Sequence, residues 1–366
     1  MLRRLKLWLY SIWYPLLCID NANLGKANKE TTHVFAKARL NLKRGPITST
    51  QNQTIEAGTD NQFLPSAVTV FESALIDPPY GLAYTKSGKL ICPPNWPMRM
   101  LLDGLPIKNH LSPTNPQSKE VIDSAFYLIG PGTFNYYHWI TDKLTCIPEF
   151  FLYREQHNPN LKLLAPKNAH GAYYEMLHRL GIQKDDLIQW DHAPITVEQL
   201  VMPFANKSMN HHAINNPDRL LQLRNELLPA SQRIKTNKRL FISRKDAPKH
   251  RSRIANEDQV WALLEQAGFE SAQLTGVSLD QQIELFQTAE VVIAPHGAGL
   301  TNLLFCQAGT RVIELLPSSN YPRYYKDLCD TLGVDHFPVF ITKNEDGQHS
   351  LNLDQFEALL NQLKLI

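Results

Sequence analysis

The sequence has 366 residues, a length that suggests about two domains. Hydrophobic residues make up 43% of it and charged residues 20%, as in a globular protein, and the formal net charge of +2 is too balanced for a nucleic-acid-binding surface. Five cysteines are scattered without metal-ligand spacing, and their odd number argues against a disulfide framework. We therefore expect a cytoplasmic protein with no nucleic-acid partner.

Basic and large apolar side chains are combined in residues 1–20. Arg3, Arg4 and Lys6 precede or alternate with Leu, Trp, Tyr and Ile residues. Such a mixture is typical of a helix that lies in the interface of an anionic membrane. The apolar run is too short to span a bilayer, is interrupted by Pro15 and lacks a signal-cleavage site. Two predictions remain open: an amphipathic helix at the inner face of the cell membrane, or a helix packed on the protein's own core.

Residues 21–205 are predicted to form an N-terminal domain. Short apolar runs between residues 67 and 92 indicate a small antiparallel β region. A strand, a glycine-rich turn at 130–132 and a helix over about 135–153 follow, and apolar runs then alternate with helical stretches. This alternation predicts a parallel sheet with crossover helices. The polar stretch 206–218 is the predicted linker.

A C-terminal domain over residues 219–345 shows a second alternation of strands and helices. Asn256 with Gln259, and Ser278 with Gln281, predict a capping box at the start of two successive helices. Residues 346–366 carry leucines at helical spacing and are predicted to form a final helix.

The first cluster of chemically active residues follows the turn at 130–132. On a helix, His138 and Asp142 stand one turn apart on the same face. A carboxylate beside an imidazole raises its basicity and fixes its tautomer, as acid–base catalysis requires. The alternative is a His–Asp pair that merely decorates a helix surface.

The second cluster begins at a predicted strand end with Ser243 and Arg244 and continues to Arg253, Asn256 and Glu257 at the next helix. Arginine binds phosphate oxygens bidentately and keeps its charge, so Arg244 and Arg253 are predicted to clamp a diphosphate. The alternative is a solvated basic loop.

The third cluster lies in residues 289–317, which predict a strand, a turn, a helix and a further strand. Glycines allow a ligand close to the backbone, and a helix N-terminus attracts anions. The alternative is a tight turn that only packs a helix on a sheet. Glu314, in the last strand, could accept hydrogen bonds from ribose hydroxyls or simply face water. The candidate phosphate-binding residues of this cluster are His296, Gly297, Ala298, Gly299, Thr301 and Asn302.

The order of these clusters resembles the family 61 glycosyltransferases, which include bacterial enzymes of capsular polysaccharide and lipopolysaccharide synthesis. Ser252 departs from the pattern, because many relatives carry a basic residue there. The resemblance extends from Phe126 onward and rests on three motifs: His138-Trp139 followed by Asp142; Ser243-Arg244 with Arg253-Ile254 and Asn256-Glu257; and His296-Gly297-Ala298-Gly299-Leu300-Thr301-Asn302, followed by Gly309 and Val312-Ile313-Glu314-Leu315.

The resemblance implies an α/β, GT-B-like fold, in which two Rossmann-like domains face a cleft. An N-terminal β-containing extension and a C-terminal helix that crosses back onto the first domain would complete it. The implied activity is inverting transfer of a hexosyl or pentosyl group from a nucleotide-sugar donor to a hydroxyl of a glycan or lipid-linked glycan. No cofactor or metal is expected, and no Asp-x-Asp pair occurs in the sequence.

The resemblance also assigns roles to the residues of the three clusters. Either His138 or Asp142 would be the base, with the other orienting it, and His296 would bind rather than catalyse. The alternatives are a sugar-nucleotide epimerase or hydrolase, and a non-catalytic glycan- or nucleotide-binding module. The implied donor-binding residues are Ser243, Arg244, Arg253, Asn256, Glu257, His296, Gly297, Ala298, Gly299, Thr301, Asn302 and Glu314.

Overall fold

The computed structural model describes residues 18–19, 32–34, 67–91, 113, 118, 120–169, 171–204, 215–228, 237–246, 253–317, 323–345 and 347–366. The chain divides into two compact units, Met1–Asn216 and Pro217–Ile366. Their boundary falls within the stretch predicted as a linker. The helix predicted over residues 1–20 lies outside the described residues, except for Cys18–Ile19, which form a strand.

The first unit contains one mixed sheet. Among the described residues it has nine strands, in the order β1-β5-β4-β3-β9-β6-β7-β8, with β2 paired to β3. The strands are β1 (Cys18–Ile19), β2 (Thr32–Val34), β3 (Ala67–Asp77), β4 (Leu82–Tyr84), β5 (Leu90–Ile91), β6 (Glu120–Tyr127), β7 (Lys162–Pro166), β8 (Leu187–Trp190) and β9 (Ile195–Pro203). The helical segments are α1 (Tyr136–His138), a π turn (Trp139–Lys143), a 3-10 turn (Leu144–Cys146), α2 (Ile147–Gln156), α3 (Gly171–Arg179) and a 3-10 turn (Lys184–Asp186).

The two halves of this sheet differ in strand direction. β3, β4 and β5 pair antiparallel, which confirms the predicted antiparallel region. The strands β9, β6, β7 and β8 pair parallel, as the alternation of strands and helices predicted. Because β3 also pairs antiparallel with β9, the antiparallel strands are not a separate extension but continue the same sheet. Side chains of both halves share one hydrophobic core, including Ile76, Leu164 and Leu200.

The second unit contains a parallel sheet. Its described strands follow the order β11-β10-β12-β13-β14, and a two-stranded antiparallel hairpin, β15-β16, lies apart from it. The strands are β10 (Lys238–Ile242), β11 (Glu270–Ala272), β12 (Ala289–Pro295), β13 (Arg311–Leu316), β14 (Asp335–Phe340), β15 (Thr342–Lys343) and β16 (His349–Ser350). The helices are α4 (Pro217–Leu227), α5 (Glu257–Gln266), α6 (Leu279–Thr288), a 3-10 helix (Ala298–Phe305), α7 (Tyr324–Leu332) and α8 (Leu353–Gln362).

The strand order of the second unit identifies where a ligand would bind. Counted from β10, the order is 2-1-3-4-5, the arrangement of flavodoxin-like doubly wound sheets. The chain therefore leaves β10 in one direction across the sheet and β12 in the other. Sheets of this kind bind ligands beyond the carboxyl ends of the strands at that switch point. A ligand is therefore expected to contact the residues that follow β10 and β12.

The two predicted capping boxes differ in the structure. The capping box of α6 is confirmed, since Ser278 and Gln281 exchange hydrogen bonds between side chain and backbone. The prediction of a capping box at α5 is wrong, because the Asn256 side chain makes no capping hydrogen bond to the start of this helix. Its side-chain amide instead donates to the Leu351 carbonyl at 2.8 Å and accepts from the Leu351 amide at 3.0 Å. Asn256 therefore fastens the C-terminal segment to the second unit.

The final helix, α8, packs on its own unit. Phe356, Leu360 and Leu365 are buried in a core cluster that also contains Phe241 and Ile293 of the parallel sheet. This packing has a local cause, since α8 begins two residues after Leu351, which Asn256 already holds against the second unit. A contact of this helix with the first domain stays a prediction. No helix among the described residues is long and apolar enough to cross a membrane.

Candidate active site

The helix that carries His138 and Asp142 changes type between them. Asn135 caps α1 by accepting a hydrogen bond from the Tyr137 amide at 2.9 Å, and the chain then widens into the π turn Trp139–Lys143. Single π turns within helices occur frequently at functional sites. The Trp139 ring is fully buried and stacks on Tyr173, with centroids 4.6 Å apart. This anchor fixes the helix against the first unit.

The two side chains meet as their spacing predicted. His138 Nδ1 lies 2.8 Å from Asp142 Oδ2, and Asp142 Oδ1 accepts a hydrogen bond from the Thr141 hydroxyl at 2.7 Å. The Asp142 side chain is only 2% exposed, whereas that of His138 is 14% exposed. Because a carboxylate can only accept, the proton of the neutral imidazole sits on Nδ1, and Nε2 carries the lone pair. Asp142 therefore orients the imidazole, whose lone pair at Nε2 lies on the side of the ring away from the carboxylate.

The glycine-rich turn before the helix packs on the imidazole. A Cβ atom added at Gly132 would lie 3.1 Å from His138 Cγ, and Gly132 has a φ angle of +80°, which glycine adopts without strain. His138 Nε2 makes no hydrogen bond within the described part of the chain. The turn therefore packs against the imidazole without using Nε2.

Lys143 is the other charged residue of the π turn. Its ammonium group is buried, donates to the Ile129 carbonyl at 2.6 Å and lies 5.3 Å from the centroid of the Tyr127 ring. Burial lowers the pKa of Lys143 to about 8, although Asp142 partly opposes the shift. Lys143 is a residue that the sequence motifs did not single out.

The lowered pKa of Lys143 predicts a pH-dependent stability. The pKa of a lysine in an unfolded chain is about 10.4, so the unfolded chain binds more protons than the folded chain between pH 8 and that value. The lysine's unfavourable contribution therefore fades as pH rises through this window, by about 3 kcal/mol in all. We expect urea unfolding to show wild type gaining about 2–3 kcal/mol relative to Lys143→Met between pH 7 and pH 10. Comparing the two proteins cancels the titration of buried tyrosines, and an unchanged difference would show that Lys143 titrates normally.

The second and third clusters meet at the switch point of the second unit. Arg244 follows β10, and its Nη1 donates to the His296 carbonyl, just beyond β12, at 2.5 Å. The guanidinium also covers Gly297, where an added Cβ would lie only 1.7 Å from Nη1. A side chain at residue 297 and the observed position of Arg244 are therefore incompatible.

Arg253 lies at the same strand end. Its Nη2 donates to the carbonyl of Lys245, the residue after Arg244. Its Nε is buried and has no hydrogen-bond partner among the described residues. Of the two arginines of the predicted clamp, Arg244 is thus anchored to a backbone carbonyl just beyond β12 and Arg253 to one just beyond β10.

The helix predicted after the glycine-rich turn is present, but it is a 3-10 helix. Its first amides come from Ala298 and Gly299, and the Tyr325 hydroxyl donates to the Gly297 carbonyl at 2.7 Å, which fixes the turn. The first amides of a helix have no intrahelical acceptor, so they can donate to an anion. Gly297, Ala298 and Gly299 are partly exposed, as are both arginines.

Five other predicted donor-binding residues point inward. Ser243 donates to Glu257 at 2.5 Å, Thr301 donates to the Ala298 carbonyl at 2.7 Å, and Asn302 donates to Gln282 at 2.9 Å. All of these except Ala298 are buried, and Asn256 holds the Leu351 backbone. In the structure the polar groups of Ser243, Asn256, Glu257, Thr301 and Asn302 thus bind other parts of the protein, and direct contacts of these residues with a donor stay a prediction.

Glu314 also forms hydrogen bonds within the protein. His296 Nδ1 lies 2.6 Å from one of its carboxylate oxygens and His336 Nε2 lies 2.7 Å from the other, and Glu314 is 3% exposed. Burial opposes ionisation of Glu314, but hydrogen bonds from the two imidazoles outweigh it and hold the pKa of the carboxyl below its usual value. Glu314 is therefore a buried anion that orients His296, and its contact with ribose hydroxyls stays a prediction.

His336 is a residue of this network that the sequence did not reveal. It lies on β14, next to β13 in the sheet, and its Nδ1 is buried without a hydrogen-bond partner among the described residues. No motif surrounds it, and only the strand pairing brings it to Glu314. Among the described residues, no group of three or more His, Cys, Asp or Glu side chains is arranged to hold a metal ion.

The second unit is an α/β domain. Its two arginines, Arg244 and Arg253, and its glycine-rich turn at 297–299 lie where doubly wound sheets bind their ligands. The family model described as Glycosyltransferase 61 matches residues 136–313, which include His138, Asp142, both arginines and the glycine-rich turn. Over this region, just under half of the chain, the sequence is similar to glycosyltransferase family 61, which confirms the resemblance of the sequence motifs.

A curated relative supports the same assignment. The beta-1,2-xylosyltransferase RCN11 of Oryza sativa subsp. japonica is 32% identical over 142 residues, which cover 34% of this chain and 26% of that protein. The matched region thus spans about a quarter of the length of this relative.

Proposed function

We propose that the protein is an inverting glycosyltransferase that transfers a sugar from a nucleotide-sugar donor to a hydroxyl group of a glycan or lipid-linked glycan. The observation that carries this proposal is the pairing of His138 Nδ1 with the buried carboxylate of Asp142. Pure ligand binding does not need an oriented base, whereas activation of a hydroxyl does. The match of residues 136–313 to the family 61 model supports it.

On the acceptor side, His138 Nε2 takes the proton of the attacking hydroxyl. The Asp142 carboxylate stabilises the imidazolium that forms and keeps the ring in position. The hydroxyl oxygen forms a bond to the anomeric carbon as the bond to the donor's phosphate oxygen breaks, and the electron pair leaves with the nucleoside diphosphate. A single displacement of this kind inverts the anomeric configuration.

On the donor side, Arg244, Arg253 and the amides of Ala298 and Gly299 stabilise the departing diphosphate. Guanidinium groups and helix N-terminal amides are preorganised donors for the charge that develops there. The Glu314 carboxylate keeps His296 beside this group of donors. No metal ion is needed for this scheme, and the GT-B arrangement implied by the family resemblance is part of the proposal.

The relative's name suggests which sugar to test first. Because RCN11 is a beta-1,2-xylosyltransferase, we propose a pentosyl donor, with hexosyl donors as the alternative. Synthesis of a surface polysaccharide at the inner face of the cell membrane is the proposed setting. An epimerase or hydrolase would consume the donor without an acceptor, and a binding module would bind ligands without turnover.

The proposal is tested with the full chain, a panel of pentosyl and hexosyl nucleotides, and EDTA in the buffer. We expect one nucleoside diphosphate to raise the melting temperature, because a ligand at 100 times its Kd stabilises the native state by about 2.7 kcal/mol. The matching nucleotide sugar should then label a glycan acceptor in the presence of EDTA. If the donor is hydrolysed and no acceptor receives the sugar, the hydrolase is favoured. If EDTA abolishes transfer, the metal-independent scheme is refuted.

A further inference from the structure

An exposed aromatic ring stands just before the candidate base. Phe134 is 53% exposed, although it directly precedes Asn135, the cap of α1. One face of its ring stacks on His192, with centroids 5.2 Å apart and planes inclined by 22°. Since His192 covers one face, the opposite face of Phe134 is the one that meets solvent.

His192 is itself held in place. Its ring centroid lies 4.5 Å from that of Trp190, and its Nδ1 donates to the Pro79 carbonyl at 3.1 Å. Trp190 is 2% exposed and donates through Nε1 to the Ala193 carbonyl at 2.7 Å. His192 also has a φ angle of +69°, a conformation that is uncommon outside glycine. The support beneath Phe134 is therefore rigid, so that binding on its open face would cost little ordering entropy.

Chain geometry places the Phe134 backbone close to the His138 imidazole. The hypothetical Cβ of Gly132 lies 3.1 Å from His138 Cγ. Phe134 follows two residues later, and two residues span at most about 7 Å. The Phe134 backbone thus lies within about 12 Å of the imidazole, a distance that a short oligosaccharide can bridge.

We propose that Phe134, supported by His192, is an acceptor subsite that binds the apolar face of a pyranose ring. The inference rests on the proposed function, because it places the acceptor hydroxyl at His138. An aromatic face is electron-rich and attracts polarised C–H groups, which a pyranose presents on one side while its hydroxyls remain in water. Tyr80, which follows Pro79, is also exposed, at 38%. A protein interface needs about 800 Å² from each partner, far more than one ring supplies, whereas a sugar matches it in size.

The test measures binding of neutral tri- and tetrasaccharides of xylose, mannose and glucose by calorimetry, without any donor. We expect wild type to bind at least one of them and Phe134→Ala to bind it about tenfold more weakly. Phe134→Trp should bind at least as well as wild type, and Phe134→Leu as poorly as Phe134→Ala, because leucine is apolar but has no aromatic face. Phe340→Ala, an equally exposed phenylalanine of the second unit, is the matched control and should bind like wild type.

Each outcome decides the proposal. If no saccharide distinguishes wild type from Phe134→Ala, including the case in which none binds, the subsite is refuted. Self-association in sedimentation that Phe134→Ala abolishes would instead make the ring a contact between two copies of the chain. Because the measurement needs no turnover, a protein that binds glycans through Phe134 but transfers no sugar would keep the subsite and refute only the proposed function.

Discussion

Replacing His138 by alanine is expected to reduce sugar transfer by about 10²- to 10⁴-fold while leaving nucleotide binding nearly intact. The loss follows from geometry, because His138 is the partly exposed member of the pair and Asp142 uses both oxygens within the first unit. The residues assigned to the donor lie in the second unit and keep their positions. Initial rates with saturating acceptor and calorimetric titration of the nucleoside diphosphate measure the two effects separately.

Asp142→Asn provides the companion measurement. The amide keeps the size of the carboxylate but removes the charge that stabilises the imidazolium, so transfer should fall by about 10²-fold or more. His178→Ala, which removes an exposed histidine of α3, is the matched control and should behave like wild type. Full turnover in both His138→Ala and Asp142→Asn would show that the base lies elsewhere.

The reliable sequence predictions concern local periodicity. His138 and Asp142 meet because a spacing of four places two side chains on one face of almost any helical backbone. The strands that end at Arg244 and His296 were predictable because apolar runs bounded by polar and glycine residues mark buried strands. Sequence patterns thus indicate which strand ends bear polar groups.

Patterns do not indicate which way each polar group turns. Asn256 satisfied the rule for a capping box, but its amide found better partners in the Leu351 backbone, 95 residues away. His336 is 22 residues from Glu314, and strand pairing alone joins them. These contacts depend on tertiary packing. The type and spacing of a residue therefore made it a candidate for ligand binding, but they did not exclude a structural role.

The close contact between Gly297 and Arg244 predicts that Gly297→Ala will strongly weaken nucleotide binding. The φ angle of Gly297 is 163°, extended backbone that any residue adopts, so Gly297→Ala adds no backbone strain. It does place a methyl group on the Arg244 guanidinium, which must leave the His296 carbonyl. Since Nη1 ends a flexible side chain, we expect the protein to stay folded, with a loss of stability of about 1 kcal/mol.

Binding of the nucleoside diphosphate should weaken far more than stability in Gly297→Ala. A hydrogen bond to a charged group contributes about 1.5–3 kcal/mol, which corresponds to a Kd increase of roughly 10- to 100-fold. Arg244→Ala should show the same increase, and combining the two changes should add little, because both remove one contact. Gly299→Ala is the matched control in the same turn, since its methyl group would meet only the tip of the Leu274 side chain, at 2.8 Å. An equal loss in both glycine variants would assign binding to the backbone amides, and wild-type binding by Gly297→Ala would remove Arg244 from the donor site.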